Sequence, residues 1–290
     1  MKNYMIMTDS TSDLPVDIAD HFGIQVIPMP FTMGTESYMH YLDNRELGIH
    51  EFYERLRGGI ESTTAQINEI TYIDYFESVI KSGSDILYIS LSSGLSSTYN
   101  SALLAAEELI GKYPESKILC VDSRAASLGE GLLVYSAAKK KEEGFGLEEL
   151  SEWIINKRSH LCQWFTVDDL NHLKRGGRLT AMTAVVGTAL DIKPILHVDD
   201  EGKLIPVGRV RGRKKALKAL VIHMSETCTN PEEQIIFISH GDSLNDALFL
   251  EKLVREKFQV KDVIINNIGP IIGTHSGPGT IALFFFGTEK

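Results

Sequence analysis

Short hydroxyl side chains gather in "SSGLSSTYNSA", residues 92–102, between the apolar run "DILYISL" and the Ala-rich run "ALLAAEELI". A helix starting there presents unpaired N–H groups and the positive end of its dipole, a setting that attracts anions. Ser96, Ser97 and Thr98 stand at that start. One of them as an N-cap, with the others solvated, is the plainer reading. An anion site accounts for more of the cluster, and both readings stand. A second polar group, "STTAQIN" at 62–68, precedes the helical pattern "YIDYFESVI". A capping loop is its plain alternative.

In "GPIIGTHSGPGTIALFFFG" two Gly-Pro pairs bracket His275. Gly and Pro fix an unusual backbone path, which makes this His a better candidate for function than most. Arg178 follows a Gly pair in "VDDLNHLKRGGRLT" and could fork onto a carboxylate or phosphate; a solvated helix end is the alternative. "GRVRGRKKALKAL" gathers Arg209, Arg211, Arg213, Lys214, Lys215 and Lys218. A solvated helix face is the default there. A docking patch for an acidic partner, or a phosphate site, is the sharper reading. With His275 as base and an Asp, Ser96 would make an acyl hydrolase, but "GLSST" lacks the last Gly of the GxSxG elbow. The chain has no GxxxxGK[ST] phosphate loop, no GxGxxG turn, no HExxH and no zinc-spaced His/Cys set. No metal and no catalytic residue is therefore assigned, and a phosphotransferase would need a different nucleotide site.

These residues need elements to carry them. The first half alternates strand and helix: "YMIMTD", "GIQVIPMPF", "DILYISL" and "KILCVDS" read as strands, with helical patterns between them. Such alternation argues for a parallel sheet covered by helices on both faces, with ligands beyond the carboxyl ends of the strands. "TDSTSD", "SSGLSST" and "VDSRAAS" all fall there. In the second half, "IKPILHV" and "KLIPVGRVR" flank the hairpin signal "DDEG". "QWFTV", "QIIFISHGD", "VKDVIINNIG" and "TIALFFFG" add strands to a mixed sheet with helices on one side. The expected fold class is α/β in two domains. Residues 1–160 form a three-layer α/β/α unit with a parallel sheet, and 161–290 a two-layer α/β unit with a mixed sheet.

Composition narrows the partners. Apolar residues make up 43% and charged residues 23% of 290, ordinary for a soluble globular protein. A formal charge of −10 argues against nonspecific nucleic-acid binding and against an anionic membrane surface. Cys120, Cys162 and Cys228 are widely spaced, which suits a reducing cytoplasm. "MKNYMIMTDSTSDL" reaches an Asp too early for a signal-peptide core, and runs such as "IALFFF" are too short to span a bilayer. The expectation is a cytoplasmic protein without stable membrane insertion.

Taken together, the motifs resemble the DegV family of bacterial proteins. They are "TDSTSDL" at 8–14, "TAQ" at 64–66, "SSGLSSTYNSA" at 92–102 and "VDSRAASLGEG" at 121–131. In the second half they are "LKRGGRLT" at 173–180, "KPILHVDDEGKLIPVGRVRGRKKAL" at 193–217 and "THSGPGT" at 274–280. They run from end to end in the family's order. The resemblance implies two α/β domains holding one long-chain fatty acid, palmitate- or oleate-like, between them. It implies no cofactor. It also implies a carrier, not an enzyme, that presents the acyl carboxylate to a separate fatty acid kinase catalytic subunit for phosphorylation.

The family's carboxylate-binding Thr, in a Thr-Ser-Gln motif, matches Thr64, and the Ser of its Leu-Ser-Gly-Thr-Tyr motif matches Ser96. Its carboxylate-proximal His matches His275. Two positions depart: Ala65 replaces the motif's Ser, and Ser97 its Gly. Because Thr63 precedes Thr64, the binding Thr could shift by one residue, so Thr63 and Ser97 join the candidate set. Arg178, Arg211 and Arg213 are the candidates for headgroup or partner contacts. Hydroxyls and helix N–H groups hold a carboxylate without burying a full opposing charge. The apolar tail supplies most of the affinity, on the order of 11 kcal/mol for ~14 methylenes before association costs.

Overall fold

Apolar runs that end in Asp or Ser become the central parallel strands. β1 (Tyr4–Asp9), β2 (Gln25–Ile27), β6 (Asp85–Ser90) and β7 (Ile118–Asp122) form a four-stranded, all-parallel sheet in the order β2-β1-β6-β7. All six residues of β6 are buried, as a strand covered on both faces requires. This computed structural model describes residues 3–179 and 191–290. α3 (Glu69–Lys81) and α4 (Thr98–Lys112) share one core with Met7, Ile86 and Tyr88 of the sheet. α5 (Leu128–Glu142) and α6 (Leu147–Lys157) share another with Tyr4, Ile6, Leu87 and Ile89. The strand ends bring the loops 10–13, 91–97 and 123–127 to one edge.

"GIQVIPMPF" is two strands, not one. β2 ends at Ile27, and β3 (Met29–Met33) pairs antiparallel with β4 (Glu36–His40) and β5 (Ser62–Thr64) in a separate three-stranded sheet. Pro28, between them, has no N–H for a ladder, so the chain changes sheets there. The same small sheet turns part of the "STTAQIN" loop into strand.

The second half forms a six-stranded sheet from β8 (Leu161–Thr166), β9 (Ile192–Val198), β10 (Leu204–Arg211), β11 (Ile235–His240), β12 (Asp262–Asn267) and β13 (Ile281–Phe286). Its order is β10-β9-β8-β13-β11-β12, parallel only between β11 and β12. The hairpin expected at "DDEG" joins β9 to β10, with Gly202 at φ 75°. α8 (Arg213–Thr227) and α9 (Leu244–Lys257) bury Leu217, Leu220, Met224 and Leu250 against one face.

The other face, with Phe165, Leu196, Phe237, Ala282 and Phe284, joins the core that contains α5. α5 is therefore packed between the two sheets, and its buried residues run round the whole helix. Two glycines permit this. A Cβ on Gly129 would come within 2.6 Å of Gln163 Oε1 and 2.9 Å of the Phe284 ring; one on Gly131 would come within 2.6 Å of the Ser12 carbonyl.

Candidate functional site

The face of the six-stranded sheet that looks toward α5 does not close completely on the parallel half. A cavity of about 520 Å³ remains, within the size range of small-molecule sites. Gln163, Phe165, Val198, Ser239, Ala282 and Phe284 line it from the sheet, and Met29, Leu91, Ala126 and Ser127 from the other side. α10 (Pro270–Ser276) adds Ile271, Ile272, His275 and Ser276. Most of this wall is aliphatic or aromatic, and the hydroxyl cluster stands along part of it.

At that polar part, Thr64 Oγ1 lies 2.8 Å from His275 Nε2. β5 sets the choice of threonine, because neighbouring residues in a strand face opposite ways. Thr64 lines the cavity, while Thr63 is exposed and its hydroxyl meets Thr32 Oγ1 at 2.7 Å. α10 begins with Pro270 at its first position and stops at Gly277, φ 79°. Thr274, beside His275, bonds Ser62 at 2.6 Å, a second tie between α10 and β5. Burial, and then the nearby Arg178 guanidinium, push His275 down to about 4, so its ring is neutral at pH 7. Its Nδ1 is buried without a partner, against Gly176, where a Cβ would come within 2.3 Å. A neutral ring donating from Nε2 to Thr64 Oγ1 frees the threonine proton for an anion in the cavity.

Ser96 lines the cavity and is not the N-cap of α4. Its Oγ accepts the Thr98 N–H at 3.2 Å and lies 2.9 Å from Thr98 Oγ1. Ser97, the N-cap residue of α4, makes no side-chain cap bond and is exposed. No hydrogen bond joins Ser96 to His275 among the described residues, so the nucleophile–base contact of a hydrolase is not formed.

The three arginines separate. Arg178 lines the cavity; its Nε donates to Leu95 O at 3.1 Å and its Nη1 to Gly176 O at 2.5 Å, which pins the hydroxyl loop. Arg211 is exposed at the end of β10, away from the cavity lining. Arg213 is also absent from the lining, and it is no loose surface cation. Its Nε donates to Asp246 at 2.8 Å, its Nη2 donates to Gly279 O at 2.5 Å, and Asp168 lies 3.5 Å away. Thr180, the last residue of "LKRGGRLT", lies outside the described residues.

Sequence reasoning missed two features. A second cavity of about 470 Å³ lies beyond the Thr64–His275 pair, lined also by Ser62, Thr63, His172, Arg175 and Arg178. Thr64, His275 and Arg178 line both spaces and so form the partition between them. His172 and Arg175 stood in a quoted motif, but nothing in their spacing separated them from a solvated helix end. The second feature is a buried acid network behind the strand ends. Asp9 accepts from Tyr88 OH at 2.9 Å, Leu91 N at 3.2 Å and the Thr11 hydroxyl. Thr11 also meets Glu130 Oε2 at 2.8 Å, and Thr8 donates to Glu130 Oε1 at 2.7 Å. Burial raises the carboxyls of Asp9 and Glu130, and raises Asp13 to about 8.

Among the described residues, His50, Glu54 and Asp242 form one metal-ligand-like group, at the surface. Arg57 already pairs with both of its acids, at 2.8 and 2.5 Å. No helix among the described residues is long and apolar enough to cross a membrane.

The family model that matches this chain, described as "Uncharacterised protein, DegV family", spans residues 3–288. The chain belongs to the DegV family. A DegV domain-containing protein of Clostridium perfringens is 44% identical over 290 residues, 100% of this chain and 99% of that one. One from Lactococcus lactis is 38% identical over 282 residues, 97% of this chain and 96% of that one. Among solved structures, a fatty-acid-binding DegV family protein from Thermus thermophilus superposes with a TM-score of 0.89 at 29% identity, covering 99% of this chain and 100% of that one. DegV from Bacillus subtilis, described as a fatty acid binding protein, gives 0.85 at 28% identity, with 99% and 100% covered. In this DegV chain both departures fall at the large cavity: Ala65 and Ser97 line it, and both are exposed.

Proposed function

We propose that this DegV protein holds one long-chain fatty acid, its tail in the large cavity and its carboxylate at Thr64, Ser96 and His275. The observation that carries this is the pairing of a mostly apolar cavity of about 520 Å³ with the Thr64–His275 contact at its polar edge. The DegV proteins of Thermus thermophilus and Bacillus subtilis, whose folds it shares, are described as binding fatty acids. We place the domain boundary near residue 160, between α6 and β8, so that units 1–160 and 161–290 enclose the ligand. Mass spectrometry of an organic extract of protein purified from a bacterial host tests the proposal. Bound fatty acid at about one per chain is the expected result. Lipid-free protein that also fails to take up palmitate or oleate would sink it.

The finer reading is that the protein presents this carboxylate to a separate fatty acid kinase, which converts it to an acyl phosphate. The partition supports it: the same side chains meet the tail cavity on one side and the smaller, Arg-bearing space on the other. An attacking carboxylate held by hydroxyls, one of them oriented by a neutral imidazole, keeps more of its nucleophilicity than one locked in an arginine fork. Acyl-phosphate formation with the kinase subunit and ATP is the measurement. ATP turnover by the isolated protein would contradict the carrier role, as would labelling of Ser96 by a fluorophosphonate.

A further inference from the structure

"TDSTSD" and "VDSRAAS" end two parallel strands, yet neither motif supplies a group to the Thr64–His275 pair. Their last polar residues meet each other instead. Asp13 and Ser127 both adopt left-handed backbone, φ 50° and 53°, a conformation non-glycine residues seldom hold unless the surroundings impose it. Ser127 Oγ lies 2.5 Å from Asp13 Oδ2 and 3.0 Å from Ser239 Oγ. Each hydroxyl has one proton, so these contacts form a directed chain. It runs from Ser239 through Ser127 to an ionised Asp13, and reverses if Asp13 is protonated. Ser127 and Ser239 both line the large cavity.

The other carboxylate oxygen, Oδ1, accepts the Gly269 N–H at 3.0 Å, and the Asp13 carbonyl accepts Asn266 Nδ2 at 2.8 Å. Oδ1 remains an acceptor in either direction of the chain. Gly269 immediately precedes α10, a helix of seven residues. So short a helix does not hold its own geometry, and the contacts at its ends decide where it stands. One end is tied to Asp13; the other is tied to β5 through Thr274 and His275. There is no slack between them. A Cβ on Gly269 would come within 2.7 Å of Asp13 Oδ1 and 2.2 Å of the His40 ring, and one on Gly273 within 2.6 Å of the Tyr53 hydroxyl.

We infer that Asp13 is a positioning residue for the carboxylate site: by holding Gly269 at one end of α10 it sets where His275 stands at the other. Through Ser127 the same side chain holds part of the cavity wall. The inference rests on the fatty-acid reading above and names a residue on which the headgroup geometry depends without touching the ligand.

The test separates a headgroup effect from a general loss of structure. Oleate and oleyl alcohol share a chain and differ in the head. Their affinities are measured by equilibrium partition from phosphatidylcholine vesicles, for wild type, Asp13→Ala, Asp13→Asn, His275→Ala and the Asp13→Ala/His275→Ala double variant. Asp13→Ala should lower the oleate-to-alcohol affinity ratio about tenfold and leave the alcohol within about twofold. In the His275→Ala background the same change should cost no further oleate affinity. Asp13→Asn, with one oxygen for two donors, should lower the ratio about threefold, and it decides the matter if the alanine variant does not fold. An unchanged ratio in a folded variant, equal loss for both ligands, or full additivity with His275→Ala would overturn the inference. Wild-type protein that takes up neither ligand would instead overturn the fatty-acid reading on which it stands.

Discussion

At the scale of single residues, the site turns on which hydroxyl faces the cavity. Thr64→Val should weaken fatty-acid binding by roughly 10- to 100-fold, the cost of removing a hydroxyl from an ionised group. Thr63→Val, whose hydroxyl is turned to Thr32, should leave affinity within about twofold. Titration calorimetry on both variants checks the assignment, and a loss confined to Thr63→Val would show the strand register misread. Protonation supplies a second prediction. His40, His197 and His275 are held down by burial to about 3, 4 and 4, so what they contribute is present above the unfolded value of about 6.5 and is lost as pH falls toward 4. Asp9, Asp13 and Glu130 are raised, so their contribution is present below about 4 and is lost as pH rises, for Asp13 through about 8. Between 4 and 6.5 the two sets oppose each other; from 6.5 to 8 these carboxyls act without them. Thermal melts should therefore fall between pH 6.5 and 8, and Asp13→Asn should flatten part of that fall. A wild-type melt that rises across the same window would refute the assignment.

At the scale of elements, much was legible and the failures have causes. Buried parallel strands announce themselves as continuous apolar runs, which is why β1, β6 and β7 were read directly. "DDEG" marked its hairpin because turn chemistry is local. β5 was not legible: three polar residues carry no period, and only the pairing with β3 makes them a strand. The Thr64 candidacy came from the motif, but the side to which it points came from that pairing. The basic stretch shows the opposite error. Charge density suggested that Arg211 and Arg213 were equivalent surface cations, and nothing in the sequence placed Asp246 and the Gly279 carbonyl against only the second. Arg213→Ala should thus destabilise the fold by about 1–3 kcal/mol, while Arg211→Ala should change it by less than about 0.5 kcal/mol. Urea denaturation of the two variants distinguishes them, and equal midpoints would mean that the Arg213 bonds contribute nothing net.

At the scale of the whole molecule, the decisive element is α5, which belongs to both sheets at once. Gly131→Ala would push a methyl against the Ser12 carbonyl, and Gly129→Ala would push one into Gln163 and Phe284. Each should cost about 1–3 kcal/mol or more, and both should lower a single melting transition, not split it. A calorimetric trace with two resolved peaks would show that the halves melt apart. The shared helix also governs recombination. A chimera joining residues 1–160 of this protein to the second half of a relative must reproduce the seam where Gly129 meets Gln163 and Phe284, because a larger residue on either side has no room to withdraw. Shuffled libraries of this family should accordingly segregate by compatibility at that seam, and crossovers near residue 160 should survive only when both parents carry matching volumes across it.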